Sequence, residues 1–305
     1  MRAAFLDADS LGDDINLDPI REQVSELVLY GTTSPQQLTE RLQGIDLVIT
    51  NKVRIDANAM THLKGILVVA TGTNNIDMDA AKAAGVPVLN VLNYGTDSVA
   101  QHTLMLLLAL AGRLPAYQHD LRAGLWQQSP FFCLMGRATT QLAGKQLVIV
   151  GSGTLGNAVA RLAEAFGVKV QFAARAGAAN DPRPPLSSLL AEADFVSFHC
   201  PLTESTRHLL NEESLKTIKP GCVVVNCARG GVIDEAACLD ALRQGQLGGL
   251  AVDVLPEEPP VNGHVLLDAM AEDLNLIVTP HNAWITPEAR QNIIRLTAEN
   301  IASLK

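Results

Sequence analysis

One short stretch, residues 147–156, constrains the fold of this chain more than any other. It reads LVIVGSGTLG, an apolar run followed by three glycines in the spacing G-x-G-x-x-G. Between a strand and a helix, Gly151 permits a tight turn, Gly153 lets the backbone approach a pyrophosphate, and Gly156 lets the helix pack closely on the strand. A second apolar run follows at 168–173. The combination predicts a dinucleotide-binding βαβ unit with the phosphates at the helix N-terminus.

The rest of the chain alternates apolar runs with helical patterns. Helices are predicted for SPQQLTERLQG and DMDAAKAAG, with Gly44 and Gly85 as C-caps, for the very apolar segment 96–112 and for the last twenty residues. The predicted strands lie at 3–7, 46–50, 66–70, 86–90, 147–150, 168–173, 194–199, 222–226, 249–254 and 274–279. Apolar strands separated by helices predict parallel sheets covered on both faces, and 305 residues are more than one core usually holds. We therefore expect two α/β domains.

Composition excludes several classes of partner. The net charge of −9 argues against nucleic acid or an anionic membrane. The longest apolar run, Leu104–Ala111, is too short to span a bilayer, and the N-terminus lacks the pattern of a signal peptide. The five cysteines have neither disulfide-scaffold nor zinc spacing, so we expect reduced thiols, no metal and a cytoplasmic location. Cys227 is interpreted as a small buried residue rather than a nucleophile, because VVVNCARG offers it no base.

Three further segments end a predicted strand with polar residues and contribute Arg229, Glu258 and His281. Ligands bind at the carboxyl ends of parallel strands, so these side chains are expected to meet in one crevice. A guanidinium can bind a carboxylate with two hydrogen bonds, and a histidine can protonate a carbonyl oxygen. A glutamate beside the histidine orients the ring and stabilises its charged form. Taken singly, each residue has an ordinary explanation. Arg229 fits a surface ion pair, Glu258 a solvated acid in a loop, and His281 a histidine bonded to a backbone carbonyl.

These motifs identify a family. The chain resembles the D-isomer-specific 2-hydroxyacid dehydrogenases along nearly its whole length, through ATGTNNIDMDAAKAAGVPVLN, VAQHTLMLLLAL, GSGTLG, FHCPLTESTRHLLN, VVNCARGGVIDEAACLDAL, AVDVLPEEPP and TPHNAW. The resemblance implies two doubly wound parallel-sheet domains with the active site in the cleft between them. One is a discontinuous, flavodoxin-like substrate domain (1–97 and 286–305), and the other a Rossmann NAD(P)-binding domain (98–285). It also implies a homodimer.

The resemblance assigns roles position by position. Arg229 becomes the substrate anchor, His281 the acid/base and Glu258 its partner. The substrate side is implied to include Gly72, Thr73, Lys52 and Trp284. The cofactor is implied to contact the glycine motif and Thr154, Leu155, Thr103, His199, Pro201, Cys227, Ala228 and Asp253. Asp253 has an alternative interpretation as a structural acid at a strand end, and His102 one as a hydrogen-bonded interface histidine.

The substrate is predicted from the branch that the chain resembles most. Trp284 after the histidine and LPEEPPVNGHVLL are similar to the glycerate dehydrogenase and hydroxypyruvate (glyoxylate) reductase branch. A small 2-oxo acid such as hydroxypyruvate or glyoxylate is therefore expected. Two alternatives stay open: a dehydrogenase for another D-2-hydroxy acid, and a nucleotide-sensing, corepressor-like binding protein.

The end of the second strand of the Rossmann unit predicts the cofactor. An acid is expected there about 20 residues after the motif, to accept hydrogen bonds from the adenine ribose. Here the strand ends in Ala173, Ala174 and Arg175. Loss of the acid removes the repulsion of a 2′-phosphate, and Arg175 can bind that group. The sequence predicts a preference for NADP, with NAD possible; the alternative is that Arg175 points to solvent.

Overall fold

The computed structural model describes residues 1–305. The chain folds into two compact units. The first unit consists of Met1–Gly95 together with Trp284–Lys305, and the second of Thr96–Ala283. The first unit is therefore discontinuous in sequence, and the second is one continuous stretch of chain.

The first unit is built on a parallel sheet in the order β2-β1-β3-β4-β5, the flavodoxin-like order. Its strands are β1 (Arg2–Phe5), β2 (Glu26–Leu29), β3 (Leu47–Thr50), β4 (Gly65–Val68) and β5 (Val88–Asn90). Its helices are α1 (Asp18–Arg21), α2 (Pro35–Arg41), α3 (Met78–Ala84) and, from the end of the chain, α11 (Pro287–Ser303). Strand β2, an edge strand without a fully buried residue, was not predicted, although Leu27, Val28 and Leu29 form a short apolar run.

The last helix completes the core of the first unit. Ile293, Ile294 and Ile301 are fully buried and pack in one cluster with Phe5 and Leu67 of the sheet. The helix is positioned by Thr286, whose side chain caps it, and by Pro287 in its first turn.

Of the two glycines predicted as helix C-caps, only one has that role. Gly85 ends α3 in the left-handed conformation at φ 67°. The prediction for Gly44 is wrong, because α2 already ends at Arg41 with Leu42 as its cap. Gly44 adopts its φ of 69° in the turn that follows.

The second unit has a six-stranded parallel sheet in the order β11-β10-β9-β8-β6-β7. The strands are β6 (Gln146–Val150), β7 (Lys169–Phe172), β8 (Phe195–Phe198), β9 (Cys222–Asn226), β10 (Leu247–Val252) and β11 (Leu276–Val278). The helices are α4 (Thr96–Ala111), α5 (Leu114–Arg122), α6 (Thr154–Ala165), α7 (Leu186–Leu189), α8 (Glu212–Leu215), α9 (Glu235–Arg243) and α10 (Val265–Asp268). The strand order reverses between β6 and β8, and that switch point is where such a sheet binds ligands.

Helix α4 is the very apolar helix of the sequence, and its Leu106, Leu107 and Leu110 are buried in the core of the second unit. Helix α5 was not predicted, because most of its residues are polar or exposed. No single helix of the chain is long and apolar enough to cross a membrane; taken together, α4 and α5 reach the required length and composition, but with a bend of 57° between them.

Candidate active site

The glycine motif forms a cradle at the switch point of the second sheet. Gly151 has φ 112°, and a Cβ there would overlap the carbonyl oxygen of His199 at the end of β8. A Cβ at Gly156 would overlap the carbonyl oxygen of Gly151, whereas one at Gly153 would meet open space. Helix α6 starts after Gly153 without a side-chain cap, so the N–H groups of Thr154 and Leu155 remain available. The cradle therefore fits a dinucleotide pyrophosphate.

The ring of His199 is held beside this cradle. Its Nε2 lies 2.8 Å from the hydroxyl of Ser197, and its buried Nδ1 has no hydrogen-bond partner. Burial lowers the pKa of His199 to about 3. The ring is therefore neutral at physiological pH.

The loop after β7 contains an acid that sequence analysis missed. Asp181 accepts hydrogen bonds from the backbone N–H of Arg175 at 2.8 Å and from the backbone N–H of Arg183 at 3.1 Å. The guanidinium of Arg183 binds both of its oxygens, with Nε 2.8 Å from Oδ1 and Nη2 in contact with Oδ2. These bonds, that of the Arg183 side chain above all, hold the pKa of Asp181 well below its usual range. The side chain of Arg175, in contrast, has neither a hydrogen bond nor an ion pair, and the residue is exposed.

His281 and Glu258 form a close pair. Nδ1 of His281 lies 2.6 Å from Oε2 of Glu258, and Oε1 of the same carboxylate accepts the backbone N–H of Leu255 at 2.8 Å. With Nδ1 donating to the carboxylate, Nε2 is left for an external partner. A pocket of about 270 Å³ with largely apolar walls, among them Leu267 and Val278, adjoins this pair.

The loop that carries Arg229 is fixed by its backbone. The buried Asn226 at the end of β9 accepts the N–H of Ala228 at 3.0 Å and donates to the carbonyl of Arg229 at 2.9 Å. A Cβ at Gly230 would overlap the backbone of Leu255, so this loop lies directly against the one that leads to Glu258. The Arg229 guanidinium donates to the carbonyl of Ala228 at 2.7 Å and pairs with no carboxylate, which leaves it able to bind an acid.

Asp253 holds the backbone on both sides of His281. Its Oδ1 accepts the Thr279 hydroxyl at 2.6 Å and the N–H of Asn282 at 3.0 Å, and its Oδ2 accepts the N–H of Ala283 at 3.1 Å. The N–H of His281 donates to the carbonyl of Asp253 at 2.8 Å. A carboxylate has about four acceptor positions, so Oδ2 keeps one for a further donor such as an amide.

His102 extends this network from α4. Its Nε2 is 3.1 Å from the hydroxyl of Thr279, and since that hydroxyl donates to Asp253, Nε2 is the donor. Burial lowers the pKa of His102, and the charge of Asp253 opposes that shift. Sequence analysis missed Thr279, which looked like an ordinary residue at a strand end.

The other cofactor-side positions are held by local contacts. Thr103 is fully buried, and its hydroxyl donates to the carbonyl of Val99 at 2.8 Å. The carbonyl of Pro201 accepts the hydroxyl of Thr206 at 2.6 Å. Burial raises the pKa of Cys227 to about 12, so its thiol is a poor nucleophile.

No three His, Cys, Asp or Glu side chains lie close enough together to hold a metal ion.

The predicted substrate-side positions lie in the first unit. The N–H groups of Gly72 and Thr73, after β4, have no acceptor within the chain. Lys52, after β3, donates its N–H to the buried Asp7 at 2.7 Å. Trp284 packs edge-on against Tyr94, with ring centroids 6.3 Å apart. Nothing in the sequence around Asp7 indicates its contact with Lys52, because the two residues lie 45 positions apart.

A phosphate cradle at a Rossmann switch point and a histidine–carboxylate pair in the same unit are typical of nicotinamide-dependent oxidoreductases. Comparison with known proteins identifies the family. Residues 104–283 match the family model described as "D-isomer specific 2-hydroxyacid dehydrogenase, NAD binding domain". The chain belongs to the D-isomer-specific 2-hydroxyacid dehydrogenases, which confirms the family and the fold class predicted from the sequence.

Individual relatives match over nearly their whole length. Glycerate dehydrogenase of Methylorubrum extorquens is 38% identical over 98% of this chain and 95% of that protein. Hydroxypyruvate reductase of Blautia hydrogenotrophica is 31% identical over 92% of this chain and 89% of that protein. Among solved structures, the TT0316 protein from Thermus thermophilus has a TM-score of 0.83 at 33% identity, covering 100% of this chain and 96% of that one.

Proposed function

We propose that this enzyme reduces a small 2-oxo acid, hydroxypyruvate or glyoxylate, to the D-2-hydroxy acid, and that it prefers NADPH to NADH. The observation that carries the proposal is the 2.6 Å pair of His281 and Glu258, in the same unit as Arg229, whose guanidinium has no carboxylate partner. The names of the relatives from Methylorubrum and Blautia support the substrate class.

In this proposal the residues divide the work. Arg229 binds the carboxylate of the oxo acid and orients its carbonyl group. With its pyrophosphate held by the glycine cradle, a bound dinucleotide would supply the hydride from its nicotinamide ring. Nε2 of His281 donates a proton to the carbonyl oxygen, while Glu258 accepts the Nδ1 hydrogen bond and keeps the ring oriented. Asp253 fixes the backbone from which His281 projects.

The preference for NADPH rests on the loop after β7. An acid that recognises NAD must accept hydrogen bonds from the ribose hydroxyls. Asp181 accepts four, two from backbone N–H groups and two from Arg183, which is about the capacity of a carboxylate. Its charge is also offset by Arg183. Arg175 is then the uncompensated charge at the end of β7, and a guanidinium there favours a 2′-phosphate.

We also propose that the enzyme works as a homodimer. Several large apolar side chains of the second unit are exposed between residues 105 and 135, and among them Phe132 is 92% and Met135 80% exposed. Large apolar side chains exposed in one segment of a chain are a feature of protein interfaces. Equilibrium sedimentation tests this part, and a monomer at micromolar concentration contradicts it.

The central test is a panel of 2-oxo acids assayed with NADPH and with NADH. The proposal expects turnover of hydroxypyruvate or glyoxylate, with the higher kcat/KM for NADPH. Absence of turnover with every 2-oxo acid would favour a nucleotide-sensing binding protein. Turnover of another 2-oxo acid at much higher kcat/KM would reassign the substrate.

A further inference from the structure

Two neighbouring loops of the first unit differ in whether their backbone N–H groups have an acceptor within the chain. Strands β3 and β4 are paired with Thr50 opposite Val68, so the loops that follow them leave the sheet side by side. After β4, the N–H groups of Gly72 and Thr73 have no acceptor within the chain. After β3, three consecutive N–H groups, those of residues 51–53, all point at one carboxylate.

That carboxylate belongs to Asp7, which follows β1. Its oxygens lie 2.9 Å from the N–H nitrogen of Asn51, 2.7 Å from that of Lys52 and 3.3 Å from that of Val53. The hydroxyl of Thr50 is a further, longer contact at 3.4 Å. Asp7 is only 7% exposed, so its charge is held inside the protein by these groups. Consecutive N–H groups of this kind form a binding site for an anion, and here the protein supplies the anion itself.

The position of this contact matters because the order of the first sheet reverses between β1 and β3. In such a sheet, ligands bind at the carboxyl ends of the strands at this switch point. Asp7 follows one of the two strands, and residues 51–53 follow the other. The loop also has two cationic residues, Lys52 and Arg54. Without Asp7, the N–H groups of Asn51 and Lys52 would lose this acceptor, whereas the N–H of Val53 would keep its hydrogen bond to the hydroxyl of Thr50 at 3.0 Å.

We propose that Asp7 is a specificity-determining residue that excludes a second negative charge from the substrate. The inference rests on the proposed function and adds to it that the oxo acid also contacts these two loops. Its carboxylate is bound by the free N–H groups of Gly72 and Thr73, and its other end faces residues 51–53. Because Asp7 already accepts the N–H groups of Asn51 and Lys52 and places a buried negative charge beside them, the hydroxymethyl group of hydroxypyruvate or the hydrogen of glyoxylate is accepted. A phosphorylated end is repelled.

The experiment compares hydroxypyruvate with 3-phosphohydroxypyruvate for wild type, Asp7→Asn and a matched control, Asp13→Asn. Asp13 is also an acid of the first unit, but it is exposed and has no hydrogen-bond partner. We expect wild type to favour hydroxypyruvate. In Asp7→Asn the ratio of kcat/KM for the phosphorylated acid to that for hydroxypyruvate should rise about tenfold or more, mainly through KM. Asp13→Asn should leave the ratio unchanged.

The ratio separates specificity from damage to the fold, because both substrates are measured on one preparation and the fraction of folded enzyme cancels. An unchanged ratio in Asp7→Asn, with hydroxypyruvate still reduced, overturns the role of Asp7. Wild type that reduces both acids equally well overturns it without any variant. Wild type that reduces no 2-oxo acid contradicts the proposed function instead, which is a different result.

Discussion

Nδ1 of His281 lies 2.6 Å from Oε2 of Glu258, and the histidine holds a left-handed backbone conformation with φ 51°. Residues other than glycine rarely adopt this conformation, and it costs free energy that the surrounding structure must offset. Asp253 accepts hydrogen bonds from Thr279, Asn282 and Ala283, and these bonds offset the cost by holding the chain on both sides of His281. The ring is thus aimed by its carboxylate partner and by its own backbone.

The first prediction concerns the proton donor. His281→Ala should lower kcat at least about 100-fold, the usual contribution of general acid–base catalysis. The dissociation constant of NADPH, measured by fluorescence, should hardly change. His62→Ala is the control, because His62 is exposed and has no hydrogen-bond partner. Near-normal turnover of the His281 variant would remove this residue from the mechanism.

The second prediction concerns the anchor. Arg229→Lys keeps the positive charge but loses the planar pair of donors that fits a carboxylate. KM for the oxo acid should rise at least about tenfold, if one charge-assisted hydrogen bond is lost. Binding of NADPH without substrate should stay near wild type. Equal losses in both measurements would mean that Arg229 only supports the loop between β9 and α9.

The third prediction concerns Thr279. Thr279→Val keeps the shape of the side chain but removes the hydroxyl between His102 and Asp253. A lost buried hydrogen bond of this kind should lower the free energy of unfolding by about 1–2 kcal/mol and kcat by about tenfold, because His281 is held less firmly. Thr279→Ser restores the hydroxyl and should recover most of kcat. Failure of serine to recover activity would mean that packing, rather than the hydroxyl, matters here.

The fourth prediction concerns the cofactor. Ala174→Glu combined with Arg175→Ala places an acid at the end of β7 and removes the uncompensated guanidinium. We expect wild type to favour NADPH by about tenfold or more in kcat/KM, and the double variant to favour NADH. Wild type that favours NADH would show that Arg175 does not bind the 2′-phosphate.

The fifth prediction concerns acid stability. Burial lowers the pKa of His199 to about 3, from about 6.5 in the unfolded chain. Between these values the unfolded chain binds a proton that the folded protein does not, so stability is lost as the pH falls below 6.5. At pH 5 the loss from this group should be about 2 kcal/mol relative to pH 7.5. His199→Asn should reduce the loss by that amount in urea unfolding experiments. An equal pH dependence in both proteins would contradict the assignment to His199.

Sequence patterns predicted the elements that are determined by residues close together in the chain. The glycine motif, the strands at 222–226 and 249–254 and the apolar helix at 96–112 depend on local periodicity and on glycine, and all are present. Helix α5 was missed because it is largely polar and buries no apolar residue, whereas the short edge strand β2 was missed although its run Leu27–Leu29 is apolar. Asp7 and Thr279 were missed for another reason, since their partners are distant in sequence and only the fold brings them together.

The discontinuity of the first unit has a consequence for the order of folding during synthesis. Residues 96–283 are one continuous stretch of chain, so the unit that contains Arg229, Glu258 and His281 can fold before the last helix packs on the first unit. The sheet of the first unit, although translated earlier, must wait for Ile293, Ile294 and Ile301 to cover one of its faces. The half made first is thus the half completed last, and its uncovered face is the surface that a chaperone would have to protect during that interval.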